Sequence, residues 1–432
     1  MKTKLSAVIN AEQSAYYENV IIVIAVSLFP LFYLMQKAWV NAFVFILFAV
    51  ALIHFLHLPK SSWNLKNITL IEWAVVLSLC AGFLAILISQ LFRLSIMPKP
   101  FDGPLRMFLC APVFLLLLKK KLSFMSVFQY ILPLSLVIFW SYCLLPSTAS
   151  PFWSGRFGTS FVDPNTLGVN MLLLTSMCLF SIDAIQKDSL GLRCLKYAGV
   201  LAGLYLLYKS ETRGAWLALP IMLLLWVNIH GKSKSKWVLI GGGVLGFIGI
   251  ISLYIFVDAF HDRVITAYTE VSGWLTKTNT DTSAGLRLSF WQMSWILFKQ
   301  SPLYGYGDLG YQVHLSLPQI QQQFSPSAID QFGHIGSHSE YLANMVRSGV
   351  LGLIAVLAEF LVPAIIFNYG LKSSNHEVKN TSAVGLSLVL GMMVCGLSLE
   401  VLSLKYTNSF YGLMIACLCA SVMWPRPEKG IH

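Results

Sequence analysis

Polar and apolar positions along this chain change over on the scale of about 20 residues, the length a helix needs to cross a bilayer. Apolar runs lie near 19–36, 38–58, 69–92, 104–119, 123–146, 164–185, 192–208, 213–230, 236–257, 346–369, 381–403 and 406–424. The gap between the first two is very short, so the cut there is open. Ten-residue strands of alternating polarity are absent, which argues against an outer-membrane barrel. The pattern predicts an all-α polytopic membrane protein with about 12 transmembrane helices.

One polar gap is long and divides the chain. Residues 1–257 hold spans 1–9, residues 258–345 form a loop, and residues 346–432 hold spans 10–12 and a tail. The loop is not a linker, because it contains "AGLRLSFWQMSWILFKQSPLYGYG", residues 284–307. There Leu286, Phe290, Met293 and Leu297 recur at helical spacing. Trp291 and Trp295 suit a helix lying among lipid headgroups. The "SPLYGYG" that follows breaks that helix with a proline and two glycines.

Composition supports the membrane reading. Only 11% of residues are charged and 56% are hydrophobic, against about 25% charged in a soluble domain. The net charge of +11 does not point to nucleic acid. Most lysines sit in short loops on one side, from Lys2 and Lys4 through Lys60, Lys66, Lys119, Lys187 and Lys232 to Lys372 and Lys429. By the positive-inside rule that side is cytoplasmic, and an even number of spans puts both termini there. The long loop then faces the opposite, extracytoplasmic side. The first run lacks a small-residue cleavage site and is expected to stay as a span. The eight cysteines contain no CxxC pair, so neither a disulfide framework nor a zinc site is read.

Candidate chemistry gathers at the end facing the long loop. "FGHIGSHSEYLANMVRSGVLGL", residues 332–353, places titratable groups directly before an apolar run. Ser337 and Glu340 make S-x-x-E, a capping box with Ser337 as the N-cap and His338 as the first helical residue. Arg347 follows nine residues on, which sets His338 roughly 14 Å further out along the axis. The positive end of the helix dipole disfavours an imidazolium there. A neutral imidazole accepts a proton, so His338 is a candidate general base. The plainer reading is a histidine that decorates a helix start. His334 and Tyr341 stand beside it as candidate supporting residues.

Other segments bring arginines to the same side. "KSETRGAWLAL" puts Arg213 at the start of a span, and Gly214 and Ala215 leave room for a close neighbour. Arg287 opens the amphipathic helix of the loop. "SGRFGTSFVDPNTLG", residues 154–168, adds Arg156 and a turn with Asp163 and Asn165. The ordinary alternatives are snorkelling or lipid contact for the arginines and plain turn and cap roles for Asp163 and Asn165. Guanidinium groups bind phosphate oxygens bidentately. A base among them suits attack by a hydroxyl with departure of a phosphate. No histidine–carboxylate set shows metal-ligand spacing, and His54 and His57 are read as structural. Glu359 falls mid-span, where a partner is expected. Glu400 either orients an arginine of the site or pairs with Lys405.

The segments "RFGTSFVDPNTLG", "SETRGAWLAL", "AGLRLSFWQ…SPLYGYG" and "HSEYLANMVRSGVLGL" together resemble the O-antigen ligase/polymerase superfamily of bacterial inner-membrane glycosyltransferases. The resemblance covers roughly residues 150–405. Its most specific part is a histidine followed by a polar residue, Tyr-Leu, and Gly-x-x-Gly-Leu eight to ten residues later. Many members carry Asn after the histidine and Glu before the glycine, where this chain has Ser339 and Ser348. The resemblance implies an inverting transfer from undecaprenyl-diphosphate-linked O-antigen, without cofactor or metal. His338 would deprotonate the acceptor hydroxyl, and Arg213 and Arg287 would bind the diphosphate. Arg156, Asn165, His334, Tyr341 and Glu400 would support them.

Length, span number and one dominant late loop favour an O-antigen ligase, whose acceptor is lipid A–core. Its expected partners are that acceptor, the lipid-linked donor and membrane lipids, with no nucleic acid. The expected place is the bacterial inner membrane with the site facing the periplasm. A polymerase that joins repeat-unit chains is the alternative, followed by a protein O-oligosaccharyltransferase. A transporter of lipid-linked glycan is the reading from another class. Against it, the polar clusters gather at one face rather than at the midplane.

Overall fold

The computed structural model describes residues 2–35, 37–57, 68–145, 148, 150, 153, 155–230, 255, 258–308 and 310–423. Apart from residue 255, the ninth expected span, 236–257, lies outside them, as do the basic loops around Lys60 and Lys232. Among the described residues the chain is helical with no strand. The helices are α1 (Lys2–Phe32), α2 (Lys37–His57), α3 (Leu70–Phe92), α4 (Pro104–Lys120), α5 (Met125–Cys143), α6 (Pro164–Phe180), α7 (Leu190–Ser210) and α8 (Arg213–His230). There follow α9 (Asp258–Leu275), α10 (Ser283–Gln300), α11 (Pro318–Gln321), α12 (Pro326–Ile335), α13 (Glu340–Gly370), α14 (His376–Gly396) and α15 (Lys405–Met423). Eight of these are long and apolar enough to cross a membrane, and α6 and α8 are shorter apolar helices. The chain is a multi-pass all-α membrane protein.

The last two helices form the centre. The apolar window of α15 is 94% buried and that of α14 78%, against 28% for α1 and for α2. Helix α15 packs on α4, α14 and α2, and α14 packs on α13, α6 and α8. Small side chains allow this, since helices in lipid associate through close packing rather than a hydrophobic drive. At Gly412 of α15, an added Cβ would stand 3.1 Å from the Met107 backbone of α4. Two polar groups deep in the bundle show how such groups find partners: Tyr33 donates to Asn170 at 2.5 Å. Glu359, expected to need a partner, accepts from the Gly82 backbone N–H at 3.0 Å.

The long loop builds a second, smaller core. Phe290, Met293 and Leu297 of α10 bury against Tyr311, Ile320, Phe324 and Phe332, with Leu286 packed at the edge. The helical spacing in the sequence therefore marks the face of α10 turned into this core. Trp295 remains 46% exposed, with Lys299 over its ring.

The loop also enters the bundle. Helix α13 is interrupted at Gly349, whose φ of 64° and ψ of −148° are not helical. The "SPLYGYG" turn fills that break. Val350 N–H donates to Pro302 O at 2.7 Å, Tyr306 N–H to Val346 O at 2.9 Å and Gly307 N–H to Arg347 O at 2.8 Å. Backbone groups freed within a membrane helix must find partners nearby, and this turn supplies them. Gly305 has φ 59° and its Cβ position lies 2.5 Å from Val346 O. Only a residue without a side chain fits there.

Candidate functional site

His338 sits in the connection between α12 and α13, not on a helix. Gly336 (φ 82°) and His338 (φ 48°) are both left-handed, so the chain doubles back on itself before α13 begins. This corrects the capping box expected from the sequence. The N-cap of α13 is Ser339, and Glu340 is its first residue. Ser337 is drawn away because its hydroxyl accepts from Ser294 of α10 at 2.7 Å. Glu340 is drawn away because it accepts from Leu402 N–H and Asn344 Nδ2, each at 2.8 Å. The axial spacing of His338 from Arg347, built on a continuous helix, falls with it.

The imidazole stacks on Phe290, with ring centroids 5.8 Å apart and planes 10° from parallel. It is half-buried and lines a cavity of about 270 Å³ with Asp163, Asn165, Thr166, Glu400 and Thr407. Burial holds the His338 pKa below the ordinary imidazole value, helped by the Arg287 guanidinium and opposed by Glu400. The ring is thereby kept neutral at neutral pH and able to take a proton. Burial and a neighbouring cation act beside the positive end of α13, whose first residue lies two positions on.

Three guanidinium groups from separate segments influence one another here. Arg287 lies in the first turns of α10, whose start is fixed by the Thr282 hydroxyl accepting from Gly285 N–H at 3.1 Å. Burial lowers its pKa, and the positive charges of Arg213 and Arg156 lower it further, against Glu270. Glu270 is itself engaged with Ala284 N–H at 2.9 Å. Arg213 is exposed at the start of α8, and Gly214 beside it packs against Ser398. Among the described residues, neither Arg213 nor Arg287 makes an ion pair. Cations without an ion-pair partner in one place raise the local positive potential.

Arg156 plays a different part. It donates to Ser210 O at 3.0 Å and to Asn165 Oδ1 at 2.8 Å. Asn165 N–H in turn donates to Asp163, the N-cap of α6. The guanidinium therefore ties the α7–α8 junction to the start of α6 and sets where Arg213 emerges.

Glu400 pairs with Arg347 at 2.6 Å rather than with Lys405, which pairs with Asp102. Arg347 also meets Asp308 at 3.4 Å. Only one Glu400 oxygen is used: Oε1 is buried without a hydrogen-bond partner. Two expected supporters lie outside the cavity. Tyr341 donates to Met393 O at 3.0 Å and packs on Phe360. The His334 side chain is 77% exposed beside Asp330. Arg347, Asp308 and Glu340 were not read as site neighbours in the sequence, although acids and an arginine flanking a glycine break are a signal. Among the described residues no group of three or more His, Cys, Asp or Glu is placed to hold a metal ion.

The segment from α7 into α13 carries two of the three arginines, His338 and the broken helix. Residues 198–357 match the O-antigen ligase family model. The chain thus resembles the O-antigen ligase superfamily, as its motifs imply. A Haemophilus influenzae protein described as uncharacterized is 23% identical over 398 residues, covering 91% of this chain and 96% of its own. The matched segment ends inside α13, after Gly349 and the docked turn. It therefore includes the whole cap and the unpaired arginines, while Arg156 and Glu400 fall on either side of it.

Proposed function

We propose that this protein is an O-antigen ligase, transferring glycan from undecaprenyl diphosphate to a sugar hydroxyl of lipid A–core at the periplasmic face of the inner membrane. The observation that carries the reading is a neutral-held imidazole beside Arg287, whose guanidinium feels the charge of Arg213, with neither arginine in an ion pair among the described residues. In the reaction His338 takes the acceptor hydroxyl proton as that oxygen bonds to the anomeric carbon. The bond from that carbon to the diphosphate breaks, and undecaprenyl diphosphate leaves with the electron pair. Arg213 and Arg287 bind the diphosphate and stabilise charge growing on it, which is worth most in a site shielded from water. One displacement from the opposite face inverts the anomeric centre. The positive-inside distribution of lysines supports a reaction on the side of the long cap, outside the cytoplasm.

Reconstituted protein with purified lipid-linked donor and lipid A–core tests this. His338→Ala is expected to lower transfer by roughly 10²–10⁴-fold, the usual contribution of a general base, while donor binding persists. Undiminished transfer at matched protein level would falsify the assignment. A polymerase uses the same machinery with a second lipid-linked glycan as acceptor. A null strain whose core carries a single repeat unit favours that reading, and one whose core carries none favours the ligase.

A further inference from the structure

A second cavity of about 350 Å³ adjoins the one that holds His338, and Asp163 and Leu404 line both. That volume lies within the usual range for small-ligand sites. Its walls come from α2, residues 150, 153 and 159–163, and the start of α15. Trp153, Phe161 and Tyr406 supply ring faces, and Asn41, Ser160 and Asp163 supply polar edges. Phe161 and Tyr406 lie with centroids 5.3 Å apart. The turn carrying Ser160 and Phe161 is held in shape: the Thr159 hydroxyl accepts from Phe161 and Val162 N–H, and Thr159 N–H donates to Val162 O at 2.9 Å.

The charge of this chamber differs from that around Arg213 and Arg287. Its one lysine is already engaged, because Asp102 takes Lys405 as well as Arg106. The oxygen of Asn41 is occupied by Arg106 at 3.4 Å and Ser409 at 3.2 Å. Its amide nitrogen has no protein partner among the described residues and remains a donor. A diphosphate would find no free guanidinium here. Flat rings beside an amide, a hydroxyl and a carboxylate match a sugar, which offers a C–H face to the rings and hydroxyls to the edges.

We propose that this chamber is the acceptor subsite: it seats the glycan whose hydroxyl is delivered to His338. The proposal rests on the transferase reading and adds where the second substrate binds. Donor diphosphate and acceptor sugar then approach the imidazole from different sides, one toward the unpaired arginines and one between α2 and α15.

The test uses full-length protein in nanodiscs, with purified lipid-linked donor and two probes: intact lipid A–core and its core oligosaccharide freed of lipid by mild acid. Trp153 is 38% exposed and Ser160 is exposed, so Trp153→Ala and the space-filling Ser160→Trp leave the bundle intact. Both are expected to raise the acceptor KM by roughly tenfold or more, with the donor KM within about twofold of wild type. Saturation-transfer NMR should show the free oligosaccharide bound by wild type and lost in Trp153→Ala. A rise in donor KM, or no change in either KM, overturns the subsite. If wild type binds the oligosaccharide through Trp153 yet transfers no glycan, the subsite stands and the transferase reading fails.

Discussion

Two ion pairs at opposite ends of the bundle look alike in composition and differ in what they leave undone. Near the start of α7, Lys196 and Asp188 are 0% and 1% exposed and meet at 2.9 Å. Lys196 also donates to Ser181 O at 2.6 Å, and Asp188 accepts from Asp183 N–H at 3.0 Å. That pair is closed. Past the end of α14, Arg347 and Glu400 meet at 2.6 Å, yet one Glu400 oxygen has no partner. A buried acceptor left unmade costs about 1–3 kcal/mol. The contrast lies between the two pairs themselves: both Asp188 oxygens are engaged, whereas Glu400 Oε1 is left free to accept from a ligand.

The largest expected effect breaks the closed pair. Lys196→Met leaves Asp188 buried without its cation, which typically costs about 3–5 kcal/mol. Tm of the protein in detergent should fall steeply, while the folded fraction keeps its kcat. Replacing both partners with Lys196→Met and Asp188→Leu should recover most of the loss. If the single variant instead loses kcat at unchanged Tm, the two pairs are not different in kind.

The next experiment opens the other pair. Glu400→Gln keeps the shape and removes the charge that faces Arg347 and His338, while Asp308 still accompanies Arg347. Losing one hydrogen bond to a charged group costs about 1.5–3 kcal/mol, or roughly 10–100-fold in rate if it is felt in the transition state. The expected signature is a lower kcat with a small change in Tm. A drop in Tm at constant kcat per folded molecule would make Glu400 a structural residue like Asp188.

The same contrast explains what the sequence made legible. Membrane spans are written locally, as runs of about 20 apolar residues, and each expected span within the described residues is met by a helix. The loop core was half visible, since Leu286, Phe290, Met293 and Leu297 carry its period. His338, Arg213 and Arg287 stood out because charges are rare in this chain. What failed was partner choice. Ser337 and Glu340 fit a capping box by spacing, but Ser294 and Leu402, far away in sequence, take their hydrogen bonds. Lys405 lies five residues from Glu400 and yet pairs with Asp102. The break at Gly349 needed the turn at 301–307 to become visible, because neither segment alone shows that one fills the other.

The smallest effect, and the sharpest, is in pH. The proposed base would work only as neutral imidazole, so kcat/KM is expected to fall as pH drops through the His338 pKa. That value is held below the ordinary 6.5 by burial and by Arg287, and Glu400 pulls the other way. Removing the cation in Arg287→Ala makes the imidazolium less unfavourable, so the acid limb should move to higher pH. Removing the anion in Glu400→Gln makes it more unfavourable, so the limb should move to lower pH. The shifts are opposite in sign though both variants lose activity, and a merely structural role for either residue would move neither limb. Lys196→Met serves as the control, because its charge lies at the other end of α7 and the limb should stay where it is. Profiles of kcat/KM at constant ionic strength read all three. Limbs that shift together would mean that burial alone sets the imidazole, leaving the charged groups around it without influence on the base.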